Sequence, residues 1–103
     1  MAKFMKKIPE NFKVIKENDP EFFELVMQDM DKVFEKGALD TKYKVLIALA
    51  INAVRGQSGA VSHLSRMARE SGATKEELVE TLRVAYFEGG MLGLATGAYA
   101  FVG

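Results

Sequence analysis

Ten residues near the middle of the chain, Val45 to Val54, are apolar except for Asn52, so a helix through them has no polar face to turn toward water. The pattern predicts a helix buried on several sides, capped by Asp40, carried through Lys42 and Lys44, and ended at Gly56. The run is well short of the roughly 20 apolar residues that cross a bilayer. Such a helix must be covered by the rest of the chain or by other copies of it. A length of 103 residues leaves room for one core, hence one domain over residues 1–103.

The covering elements read as helices too. Asp19-Pro20-Glu21 is a helix start, with a capping carboxylate, proline in the first turn and an acid beside it. Phe22, Phe23, Val26, Met30, Val33 and Phe34 follow at helical spacing, with Glu24, Gln28, Asp31 and Lys32 mostly outside. Gly37 is the expected left-handed terminator. A shorter amphipathic piece around Phe12 to Ile15 precedes this helix. Another begins near Ser58, carries Val61, Leu64, Met67 and Ala68 on its inner stripe, and ends at Gly72. Thr74 and Glu77 form a capping box for the next, whose stripe is Leu78, Val79, Leu82, Ala85 and Tyr86 until Gly89-Gly90 breaks it. Met91 to Val102 is uncharged, and its Gly93 and Gly97 are spaced for close helix approach. Nothing reads as a strand, so the expected fold is a compact all-α bundle of five to six helices.

Fourteen Lys and Arg balance fourteen Asp and Glu, so no bulk field draws the chain to phosphate backbones and a nucleic-acid partner is not expected. The balance hides an asymmetry. Residues 1–44 hold 18 of the 28 charged side chains and residues 89–103 hold none. An uncharged end and an all-round apolar helix offer more apolar surface than one small core covers, which predicts a homo-oligomer with the carboxyl-terminal helix in an interface. The alternative places that helix at the centre of a monomeric bundle. Lys3, Lys6 and Lys7 are followed by no apolar stretch of the kind a secretory signal has, which points to the cytoplasm, away from the membrane.

Gly37-Ala38-Leu39-Asp40-Thr41-Lys42, the apolar helix through Ala50, Ser71-Gly72-Ala73-Thr74-Lys75-Glu76-Glu77, and Leu82-Arg83-Val84-Ala85-Tyr86 with Gly89-Gly90 resemble the carboxymuconolactone decarboxylase family. That superfamily includes the alkyl hydroperoxide reductase D-type peroxidases, and the resemblance spans about residues 20 to 100. It implies a helical subunit of the alkyl hydroperoxide reductase D-like type that assembles into trimers or hexamers. Redox members carry a Glu near the start of the apolar helix, a Cys-x-x-Cys after its terminal glycine, and a His four residues beyond the second Cys. Aligned without gaps, those positions here are Val45, Gln57, Ala60 and Leu64. The chain has no cysteine at all, so no side chain can become a thiolate or a sulfenic acid, and thiol peroxidase activity is excluded for the isolated chain.

His63, the single histidine, stands one position before the family's His and so points about 100° away from it on a helix. It is the candidate catalytic residue as a general acid or base, against the reading that it is a structural boundary residue. Asn52 and Arg55, three apart, share a helix face. Arg55 could hold a ligand carboxylate or satisfy the last carbonyls of its helix. Gln57 and Ser58 are further ligand-binding candidates that also suit a plain turn and cap. Glu88 precedes the double glycine as an intersubunit or site carboxylate. Ser62 and Ser65 read as helix-surface or cap residues. One histidine and no cysteine cannot build a structural zinc site, and neither a metal nor another cofactor is expected.

Two functions stand at this level. One is a non-catalytic or ligand-binding helical homo-oligomer that has lost the redox site, with a small carboxylated or aromatic compound as its possible ligand. The other is a cofactor-free lyase, decarboxylase or isomerase acting on a small carboxylated lactone or ring compound, with Arg55 holding the carboxylate and His63 moving a proton.

Overall fold

The computed structural model describes residues 8–102. They form α1 (Glu10–Asn18), α2 (Pro20–Phe34), α3 (Thr41–Val54), α4 (Ser58–Glu70), α5 (Lys75–Gly97) and a short 3-10 helix (Ala98–Phe101), with no strand among the described residues. The fold is all-α. The chain divides into two compact units, Met1–Gly37 and Ala38–Gly103.

In the first unit a single residue, Asp19, separates α1 from α2. Its carboxylate accepts the Phe22 N–H at 3.2 Å while Pro20 opens the helix, as the capping pattern predicts. Phe23 and Met27, one turn apart and both buried, pack with Ile8, Phe12, Val26 and Met30. This seam is narrower than the expected stripe. Phe22 and Val33 are 55% and 58% exposed, outside the strip of α2 that packs with α1. Gly37 does not terminate the helix. The backbone turns extended at Glu35, straight after Phe34, and Gly37 is absent from the left-handed glycines.

The second unit is built on α3. Val45, Leu49 and Ala53 are fully buried along one side of it, against Val61 and Ala68 of α4 and Leu78 and Ala85 of α5. Asp40 caps α3 by accepting the Lys42 N–H at 3.1 Å, and Gly56 and Gly72 end α3 and α4 with positive φ. The Thr74–Glu77 capping box is complete in both directions. Helix α4 is the return stroke, so α3 and α5 run parallel. Lys42 meets Glu77 at one end, and Gly89 lies against Val54 at the other.

At Gly90 the backbone leaves the helix with φ 65° and ψ −154°, a conformation open to glycine. The chain folds back there. A methyl group on Gly93 would run into the Ala85 carbonyl, and one on Gly97 would sit 2.9 Å from Leu82 Cγ. The close approach expected of these two glycines is therefore made to the first half of α5. The 3-10 helix is held by α4. Ser62 Oγ donates to the Tyr99 carbonyl at 3.2 Å, and the fully buried Ser65 Oγ donates to that of Ala100 at 2.5 Å. These serines are anchors, against the expectation of surface or cap residues, because their acceptors come from the far end of the chain.

Candidate functional site

The four positions aligned with the redox site hold no group that can transfer a proton or an electron pair. Val45 is sealed in the core at 0% exposure. Gln57 stands exposed at the N-cap of α4 without a side-chain capping bond, while Ala60 and Leu64 lie half-buried along that helix. Ser58, half-buried, is the first residue of α4.

Asn52 and Arg55 lie at the end of α3 as the spacing predicts, but their side chains do different things. The Asn52 amide donates to the Ala48 carbonyl at 2.8 Å and is occupied within its own helix. Arg55 is the exposed C-cap. Its backbone N–H reaches the Ile51 carbonyl, whereas no hydrogen bond or ion pair engages its guanidinium among the described residues. Arg55 and Glu88 border an apolar hollow of about 420 Å³ lined by Ile47, Ile51, Val54 and Val84, whose wall is almost wholly carbon.

His63 does not line this hollow. It sits half-buried on α4, and its Nε2 is buried with no hydrogen-bond partner among the described residues. Burial pushes the imidazole below its ordinary value. Arg66 pushes it the same way, and Glu70 opposes them. The ring is thus neutral at pH 7, a state suited to a proton acceptor, but among the described residues no hydrogen bond links its Nε2 to a second group.

Ile47, Ile51, Val54 and Val84, which line the hollow, are not among the residues the sequence singles out as ligand candidates. A second one, also about 420 Å³, adjoins it between α3 and α5 and is bordered by Tyr43, Leu46 and Glu80. Tyr43, Ile47 and Ile51 are 45%, 49% and 52% exposed, so α3 is open along one face, where burial on several sides was expected. Their i, i+4, i+8 spacing groups them on one face, but the buried Val45, Leu49 and Ala53 share that spacing, so the sequence does not mark which face is open. No helix among the described residues is long and apolar enough to cross a membrane.

Comparison with known proteins agrees with the helix order. The carboxymuconolactone decarboxylase family model matches residues 20–100. Two uncharacterized proteins of Methanocaldococcus jannaschii are each 37% identical, one over 88% of this chain and 83% of its own length, the other over 80% of each. Among solved structures, a carboxymuconolactone decarboxylase family protein from Legionella pneumophila in its apo form superposes with a TM-score of 0.82 at 31% identity, covering 87% of this chain and 80% of its own. A provisionally named carboxymuconolactone decarboxylase from Burkholderia xenovorans LB400 gives 0.85 at 25% identity, over 93% and 76%. On the extent of the family match and the identity of these relatives, the chain belongs to the carboxymuconolactone decarboxylase family.

Proposed function

We infer that this chain is a self-associating, non-catalytic member of its family, a helical subunit that keeps the scaffold, has lost the thiol chemistry of the redox members, and acts on small molecules only by binding them. The carrying observation is the content of the four redox positions. Valine, glutamine, alanine and leucine neither form a thiolate nor exchange a proton near neutral pH, and no cysteine elsewhere can substitute. Self-association is supported by the exposed apolar face of α3.

The test has two arms. Pure protein supplied with a dithiol reductant is expected to consume an organic hydroperoxide no faster than buffer, and sustained turnover overturns the non-catalytic reading. Sedimentation at low micromolar concentration is expected to give a mass above that of one chain, and a monomer overturns the self-association. A thermal-shift screen with aromatic acids, lactones and quinones then identifies a ligand by the rise in melting temperature that binding must produce.

The second reading, a cofactor-free lyase on a carboxylated ring compound, draws support from Arg55, unpaired among the described residues and bordering an apolar hollow. It requires His63→Ala to abolish turnover without changing the assembled mass. The position of His63 away from that hollow weighs against it.

A further inference from the structure

The hollow beside Arg55 has small side chains at its centre. Ala50 of α3 and the fully buried Ala85 of α5 line it, together with the larger Ile47, Ile51, Val54 and Val84. Its wall is almost wholly carbon, so a molecule seated there finds no hydrogen-bond partner along its length and must itself be apolar over that length. The charged residues that border it are Arg55 and Glu88. Both are exposed, and neither side chain is engaged in an ion pair or hydrogen bond among the described residues, with the other or elsewhere.

The dimensions suit a small occupant. A dry cavity of roughly 150 Å³ takes one benzene ring. At about 420 Å³ the hollow admits two fused rings. A protein partner needs more surface than this face offers. Tyr43, Ile47, Ile51 and Val84, each about half exposed, leave on the order of 400 Å² open, against the roughly 800 Å² that each partner contributes to a standard interface. Contacts between copies must therefore draw also on other exposed groups, such as Phe87, Met91 and Leu92.

The border sets the head group of the occupant. A carboxylate drawn to Arg55 is repelled by Glu88, and an ammonium ion drawn to Glu88 is repelled by Arg55. An uncharged hydroxyl meets neither penalty, because its oxygen accepts from a guanidinium while its hydrogen is donated to a carboxylate.

We propose that the hollow between α3 and α5 binds an uncharged phenol of one or two rings, with the ring against Ile47, Ile51 and Val84 and the hydroxyl toward Arg55 and Glu88. The proposal rests on the small-molecule binding inferred above and names the ligand class, setting phenols ahead of carboxylated rings.

Fluorescence titration with 2-naphthol tests it on the full chain, which has no tryptophan to interfere with the naphthol emission. Saturable binding is expected, about tenfold tighter than that of 2-naphthoate, whose carboxylate Glu88 repels, or of naphthalene, which has no head group. Glu88→Gln is expected to strengthen 2-naphthoate and narrow that gap. Ile51→Asp, which sets a charge in the carbon wall at an exposed position, is expected to weaken 2-naphthol about tenfold with the helical circular dichroism unchanged. No saturable binding below about 1 mM overturns the proposal. So does binding undiminished by Ile51→Asp, or 2-naphthoate held as tightly as 2-naphthol by the wild type. Should Ile51→Asp lose its helical signal, Glu88→Gln decides, and an unchanged preference for the phenol in that variant overturns the assignment of the head group. A smaller assembled mass for a folded Ile51→Asp, with no 2-naphthol bound by the wild type, gives the hollow to a second copy instead. A rise in melting temperature with another compound of the screen and none with 2-naphthol overturns the proposal and keeps small-molecule binding, whereas no rise with any compound overturns both.

Discussion

Lys42 Nζ lies 3.0 Å from Glu77 Oε2, while Oε1 of the same carboxylate accepts the Thr74 N–H at 2.9 Å. One side chain therefore ties the first turn of α3 to the first turn of α5 and closes the capping box. The Thr74 hydrogen bond, followed by the Lys42 contact, holds the Glu77 carboxyl below its ordinary value. A lowered folded-state value means that the unfolded chain takes up the proton first on acidification. The contribution is present above the ordinary value of 4.5 and is lost as pH falls through the lowered one. Melting curves from pH 7 to pH 3 are expected to drop more steeply for the wild type than for Glu77→Gln, which keeps an acceptor for Thr74 and loses the charge. Parallel curves would count against the assignment.

The fold-back after Gly90 makes a sharp contrast between glycines. A methyl group at Gly93 meets the Ala85 carbonyl, a backbone atom that cannot step aside, and Gly93→Ala is expected to cost about 3 kcal/mol. Gly59, in the first turn of α4, has nothing within 4 Å of a built Cβ, and Gly59→Ala is expected to stabilise by about 0.5 kcal/mol. Denaturant midpoints of the two variants should move in opposite directions from the wild type.

What was legible in the sequence was whatever local chemistry decides. Asp19 with Pro20, Asp40, and Thr74 with Glu77 start their helices because each cap acts on backbone groups two or three residues away. The end of α2 was misplaced because a glycine permits a left-handed terminator without requiring one. The exposed face of α3 is not legible because Ile47 and Leu49 look alike in a sequence, although one is open and the other sealed. The anchoring role of Ser65 is not legible because its acceptor, Ala100, lies 35 residues away. At the candidate site, the shared helix placement of Asn52 and Arg55 was legible. The commitment of the Asn52 amide to Ala48 and the absence of His63 from the Arg55 hollow depend on tertiary geometry.

Ser65 gives the clearest energetic test of the carboxyl-terminal anchor. Its hydroxyl is fully buried and donates to the Ala100 carbonyl, so Ser65→Ala leaves a buried acceptor without its donor, at a cost of about 1–3 kcal/mol. Ser62 makes the equivalent bond to Tyr99 in a solvent-accessible setting, where water can replace the hydroxyl, and Ser62→Ala is expected to cost less. Urea unfolding should rank the variants in that order with similar slopes. Equal midpoints for Ser65→Ala and wild type would remove the anchor.

His63 is the chain's single histidine, so its ring signals in a proton–carbon NMR spectrum need no assignment by mutation. Burial first, and Arg66 second, lower its value, and the buried Nε2 has no partner among the described residues to offset the loss of water around a charged ring. The folded titration midpoint is therefore expected below 6.5, and the midpoint in urea close to it. Because the unfolded chain protonates first, stability falls as pH drops through 6.5 and stops falling from this source once the folded ring is also charged. His63→Leu, which has no proton to take up, should flatten that part of the stability curve and leave the Glu77 limb at lower pH in place. A folded midpoint at or above 6.5 would show that a partner has reached the imidazole, and would return His63 to consideration as a working acid or base.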